Sequence, residues 1–308
     1  MRYGTSREMC KLLTLLLLLP LASWANTCSV SVPLNVFTKD RLVLRSIRPD
    51  QLSVKLHGKP AQITGFGLDV APRRVIVLLD TSGSMRGVGI DSWKLVPKLG
   101  AYATDILPAD ASIAVDTVNE NPQIGSFGDR TQARARILAI TRESIYGRTP
   151  LFDTIHKVLL KLGPPLFGDI LYLITDGGDD VSKLNEQNVI NELASRGIRV
   201  FVILAMSARP RTEEERNGPE LMLRLAEQTG GYVFAVVRSF DGSAERTALL
   251  KVAPFVESFI TTSYRVQLSA PEAAAKPISL SIRYTGPQNE LTKKSMWIYP
   301  HRVGACTK

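Results

Sequence analysis

A chain of 308 residues with 44% hydrophobic and 22% charged residues can bury a full core, which argues against disorder and leaves room for one large domain plus a smaller one. The net charge of +9 comes without a long run of basic residues and with only 7% aromatics, so nucleic acid is not an expected partner.

At the N-terminus, Arg2, Arg7 and Lys11 precede Leu12–Pro20 and the small-residue pattern Ser23-Trp24-Ala25. This is the layout of a secretory signal peptide over residues 1–25, too short and too Pro-interrupted for a transmembrane anchor. Cleavage near Ala25 removes Arg2, Arg7, Lys11 and Glu8 and lowers the net charge from +9 to +7. It also removes Cys10, leaving Cys28 and Cys306 near the two ends of the mature chain. In an oxidising compartment, periplasmic or extracellular, two such cysteines are expected to form one disulfide.

Residues 26–71 read as β structure: Ser31–Phe37 and Leu52–Leu56 alternate apolar with polar, and Ile63–Phe66 resumes the pattern after a Gly-Lys-Pro turn. From residue 72 to about 260 the period changes. The apolar run Val75–Leu79 predicts a buried parallel strand. It is followed by a helix from Trp93 to Ile106, a strand at Ile113–Val115, and helices over Ala133–Ile140 and Pro150–Leu162. A strand at Asp169–Thr175, a helix over Leu184–Ser195, a strand at Val200–Leu204, a helix over Pro219–Gln228 and a strand at Tyr232–Val236 complete the series. Such alternation predicts a doubly wound, mostly parallel α/β sheet with helices on both faces. Residues 261–308 return to period two at Tyr264–Leu268, Ile278–Tyr284 and Ser295–Tyr299, and are expected to pair with residues 26–71 in a small β module.

The chemistry gathers where strands end. Val75–Leu79 runs into Asp80-Thr81-Ser82-Gly83-Ser84, where Gly83 is expected to let the chain turn so that three oxygens face one spot. Asp169–Thr175 runs into Asp176-Gly177-Gly178, and Thr149 precedes the helix at Pro150. Two carboxylates and three hydroxyls at one sheet edge suit a hard cation that keeps some of its waters, Mg²⁺ first, with Mn²⁺ or Ca²⁺ chemically acceptable.

These three motifs, in this order, resemble the metal-ion-dependent adhesion site of von Willebrand factor A domains over about residues 72–260, and the flanking β segments look like a bacterial secreted subgroup of A-domain-related proteins. The resemblance implies that Ser82, Ser84 and Thr149 ligate the ion directly, that Asp80 and Asp176 act mainly through water, and that an acidic side chain of a protein partner completes the shell. No motif residue is substituted. Each also has a plain structural reading: Ser82 and Ser84 as turn formers, Thr149 as an N-cap, Asp176 in a strand-ending turn.

Arg86 and Arg148 flank the motifs and are candidates to meet an acidic ligand, as are Arg209 and Arg211 in the charged loop Ser207–Pro219. An enzyme is the competing class. A phosphohydrolase of the haloacid-dehalogenase type would want an Asp where Ser82 stands, and Gly-x-Ser-x-Gly, phosphate-loop and His-Glu-x-x-His patterns are absent from the sequence. The residues therefore point to a secreted metal-dependent adhesion or scaffold module without catalysis. The alternatives are an envelope structural protein that binds through its β module, with a vestigial ion site, and a Mg²⁺-dependent phosphohydrolase.

Overall fold

The computed structural model describes residues 28–70, 73–86, 92–119, 122, 124–206, 213–237, 243–270, 275–287 and 296–305. The signal-peptide reading, Arg209, Arg211 and Cys306 lie outside these residues. No helix among the described residues is long and apolar enough to cross a membrane.

The chain opens with β1 (Cys28–Thr38), β2 (Leu52–Leu56), β3 (Lys59–Pro60) and β4 (Gln62–Asp69). Then come β5 (Arg74–Asp80), α1 (Leu95–Asp105), β6 (Ser112–Val118), α2 (Arg130–Leu138), α3 (Leu151–Leu162) and β7 (Ile170–Thr175). After α4 (Glu186–Arg196) follow β8 (Arg199–Met206), α5 (Glu213–Thr229), β9 (Tyr232–Val237) and α6 (Ser243–Thr261). The chain closes with β10 (Ser263–Ala270), β11 (Ile278–Tyr284), β12 (Met296–Tyr299) and β13 (Arg302–Val303).

Strands β5 to β9 form one five-stranded parallel sheet in the order β6-β5-β7-β8-β9. Period-two alternation with apolar residues on both faces explains it. Val75, Val77 and Leu79 of β5 enter one core with α1, α2 and α6, whereas Ile76 and Leu78 enter another with α3, α4 and α5. Because β5 lies between β6 and β7, the chain leaves it to one side and later returns to the other. The C-terminal end of β5 is therefore a topological switch point, where open α/β sheets place their ligands.

The flanking strands make two four-stranded antiparallel sheets, β12-β1-β10-β4 and β13-β11-β2-β3, which share a core of Val32, Leu34, Val54, Leu56, Val266 and Leu280 among others. β1 is covered on both faces: Leu34 and Val36 enter that sandwich core, while Phe37 packs with Tyr232, Phe259 and Trp297 in the α/β core. Arg199, at the start of β8 and fully buried, links the same parts. Its guanidinium donates to the Phe259 and Ile260 carbonyls at the end of α6, both at 3.0 Å, and to Asn35 Oδ1 of β1 at 3.3 Å. Burial, with the nearby charge of Arg73 adding to it, draws the Arg199 pKa down to about 9.

Two elements differ from the sequence reading. α5 begins at Glu213 and runs through Pro219, so the second half of the expected loop Ser207–Pro219 is helical. α6 was not expected at all. Both helices contain a proline, Pro219 and Pro254, and an internal proline reads from sequence as a helix boundary.

Candidate metal-ion site

Asp80 is the last residue of β5 and is completely buried. Its Oδ1 accepts from the Ser82 amide at 2.9 Å, which curls the loop back over the strand end, and its Oδ2 accepts from Thr175 Oγ1 at 2.6 Å. The first motif is thereby tied to the third. Both carboxylate oxygens are already engaged, which leaves Asp80 better suited to hold a bound water than to bind an ion head-on. Burial, and then the charge of Asp176, push the Asp80 carboxyl up to about 6 against the lowering hydrogen bonds of Thr175 and Ser82. Two carboxylates brought together away from water create a demand for positive charge.

Ser82 is buried and Ser84 exposed, and their hydroxyl oxygens lie 3.0 Å apart. Adjacent ligands of an octahedral Mg²⁺ ion with bonds of ~2.1 Å are separated by about 3 Å, so this pair has the spacing of two neighbouring coordination positions. Gly83 turns the chain, opening the 3-10 turn Gly83–Arg86, and does so without a positive φ. The Gly83 amide donates to the Gly147 carbonyl at 3.0 Å, holding the first motif against the second. The positive φ belongs instead to Gly147, at +83°, and to Gly177, at +94°.

Thr149 is buried, but it does not cap α3. Pro150 occupies the cap position and offers no side-chain bond, so the N-cap reading of Thr149 is corrected. The N-terminus of α3 is capped from across the site, where Asp179 accepts from the Phe152 amide at 3.2 Å and Ser182 Oγ from the Asp153 amide at 3.1 Å. Thr149 itself is gripped by Asp180, whose Oδ1 accepts from its amide at 2.7 Å and whose amide donates to its carbonyl at 3.2 Å. Asp176, buried, follows β7 directly and accepts from the Gly178 amide at 3.5 Å.

All five expected site residues thus stand on three loops joined to one another at the same sheet edge. Of the expected partner-facing arginines, Arg148 is turned onto Asp180, with Nε 2.9 Å from Oδ2 and Nη2 2.8 Å from the carbonyl. The backbone of Arg86 closes the short 3-10 turn Gly83–Arg86, which contains Ser84. The sequence reading passed over Asp179 and Asp180, although Asp176-Gly177-Gly178-Asp179-Asp180 is an unbroken polar run after a buried strand. It also passed over Tyr146, which is 74% exposed between buried Ile145 and the anchored Gly147.

Among the described residues no three carboxylate, histidine or cysteine side chains cluster closely enough to hold an ion by themselves. Any ion here rests on hydroxyl oxygens and water beside the two aspartates. That donor set is hard throughout and fits Mg²⁺, which dehydrates reluctantly. Of the three histidines, His57 lies in the turn between β2 and β3, His156 is bonded to Glu192 at 2.7 Å, and His301 separates β12 from β13.

The architecture resembles that of von Willebrand factor A domains. This follows from the strand order together with the seating of the three motifs at its switch point. No protein-family profile and no curated protein matches the chain. Solved structures that resemble this A-like chain include conserved hypothetical protein BatB from Bacteroides thetaiotaomicron, at 18% identity and a TM-score of 0.42, covering 60% of this chain and 98% of that one. A von Willebrand factor type A structure from Catenulispora acidiphila overlaps 91% of this chain and 74% of its own at 11% identity and a TM-score of 0.43. The SpRpn10 VWA domain overlaps 60% and 97% at 12% identity and a TM-score of 0.41. These overlaps are loose.

Proposed function

We propose that this protein is an exported, non-enzymatic binding module that uses a Mg²⁺-type ion held by Ser82, Ser84, Thr149, Asp80 and Asp176 to capture an acidic side chain of a protein partner. The observation that carries the proposal is the Ser82–Ser84 hydroxyl pair, 3.0 Å apart, set beside a buried carboxylate pair at the switch point of the sheet. When bound, the ion supplies a positive centre with a position open to a carboxylate. The chain's own residues shape that position, neutralise the ion and exclude water from its inner side. No histidine stands on the three loops that form the site, which favours capture over turnover.

The buried Cys28 at the head of β1 and Cys306, close after β13, are proposed to close the sandwich as a disulfide after export. Mass analysis of the mature protein with and without reduction tests this, together with cleavage near Ala25.

The functional test is capture of partners on the purified protein in Mg²⁺ and in chelator, alongside Asp80→Ala and Thr149→Ala. Binding lost in chelator and in both variants, with the fold retained, supports the proposal. Binding that survives both would overturn it.

A further inference from the structure

We propose that Asp180, held by Arg148, is the positioning residue that sets the backbone of Thr149 and so makes the site discriminate in favour of Mg²⁺ over Ca²⁺; the inference rests on the metal-binding reading above. The second and third motifs are interlocked far more densely than either is to the first. Asp180 makes two hydrogen bonds with the Thr149 backbone, its Oδ1 accepting from the amide at 2.7 Å and its own amide donating to the carbonyl at 3.2 Å. Arg148, the residue before, closes the ring with two bonds onto the same aspartate, at 2.9 and 2.8 Å.

The lock continues into α3. Asp179 accepts from the Phe152 amide, Ser182 Oγ donates to Asp179 at 2.6 Å, and Asp153 accepts from the amides of Lys183 and Leu184 at 3.1 and 3.0 Å. Both Asp179 and Asp180 hold backbone. Thr149 therefore sits on a platform whose position is set in advance, whereas the first loop meets that platform through the Gly83–Gly147 bond.

A fixed hydroxyl matters differently to the two ions. Mg²⁺ demands near-ideal octahedral geometry at short distance, whereas Ca²⁺ accepts longer bonds and a variable shell. Loosening Thr149 should cost Mg²⁺ affinity while leaving Ca²⁺ affinity nearly unchanged. Arg148, with a side chain 68% exposed, can be removed without opening the core.

The experiment titrates Mg²⁺ and Ca²⁺ separately into chelator-stripped parent, Asp180→Ala, Asp180→Asn and Arg148→Ala, reading affinity by calorimetry and melting temperature with and without ion. The expected result is a loss of about tenfold or more in Mg²⁺ affinity for Asp180→Ala and Arg148→Ala, the usual cost of removing a group that orients a ligand, with Ca²⁺ affinity little changed. Asp180→Asn, whose amide oxygen still accepts from Thr149, should recover part of the loss. Should Asp180→Ala fail to fold, the other two variants carry the comparison. A parent that binds ions, with an unaltered Mg²⁺ to Ca²⁺ ratio in the variants, overturns this inference alone. A parent that binds neither ion overturns the metal reading and this inference with it.

Discussion

Gly177 and Gly218 touch backbone to backbone: a Cβ built on either would stand 2.8 Å from the carbonyl carbon of the other. Gly177 belongs to the third motif and Gly218 to the early part of α5, so this contact seats a helix directly against the loop that carries Asp176. A Cβ on Gly218 would also stand 3.0 Å from the Asp176 carbonyl oxygen.

Gly218→Ala is consequently expected to push α5 and the Asp176 loop apart. Overpacking of this kind costs about 1–3 kcal/mol. Urea denaturation should register the loss, and Mg²⁺ affinity should fall in the same variant. Unchanged stability would mean that the two backbones separate freely.

The buried carboxylate pair predicts a site that opposes folding until it is filled. The folded-state pKa of Asp80, about 6, lies above its ordinary value of 3.8. A raised acid binds its proton more tightly when folded, so this contribution to stability is present below about pH 4 and is lost as pH rises through 6. In chelator, Asp80→Asn should therefore be more stable than the parent at pH 7.5, by on the order of a few kcal/mol at most, and should converge with it at acid pH. The same variant should show no rise in melting temperature with Mg²⁺. A parent and variant of equal stability at every pH in chelator would contradict the repulsion argued here.

Arg199 joins β8, the end of α6 and β1 through one guanidinium. Arg199→Met leaves the Phe259 and Ile260 carbonyls and Asn35 Oδ1 without that donor in a dry environment, a change expected to cost about 3 kcal/mol or more. Arg199→Lys should recover only part, since an ammonium lacks the fork that reaches all three acceptors. Equilibrium unfolding of both variants checks the order.

Tyr146 stands exposed beside the ion loops on a backbone held at Ile145 and Gly147. An exposed aromatic held in place beforehand is a natural contact residue. Tyr146→Ala should leave stability within about 0.5 kcal/mol and weaken capture of an acidic partner roughly tenfold, with Mg²⁺ affinity unchanged. Undiminished capture would remove Tyr146 from the binding surface.

Much of this protein could be read along the chain. The uninterrupted apolar runs of β5, β7 and β8 declared strands buried on both faces, and the acid or hydroxyl residues just after them were conspicuous because the runs end so abruptly. Periodicity and strand-end chemistry are local, and local signals survive in a single sequence. What escaped was decided by packing. The helix α6 was hidden by Pro254, which stands on its exposed face, and the true cap of α3 comes from Asp179, 27 residues beyond Phe152. Gly83 turns the chain as expected, but its bond to Gly147 could not be read from the sequence, and Arg148 looked open to a ligand and is hydrogen-bonded to Asp180. Each of these depends on which loop lies against which at the sheet edge. That juxtaposition is created by the crossover from β6 back past β5 to β7, and residues distant along the chain carry no mark of it until the sheet is assembled.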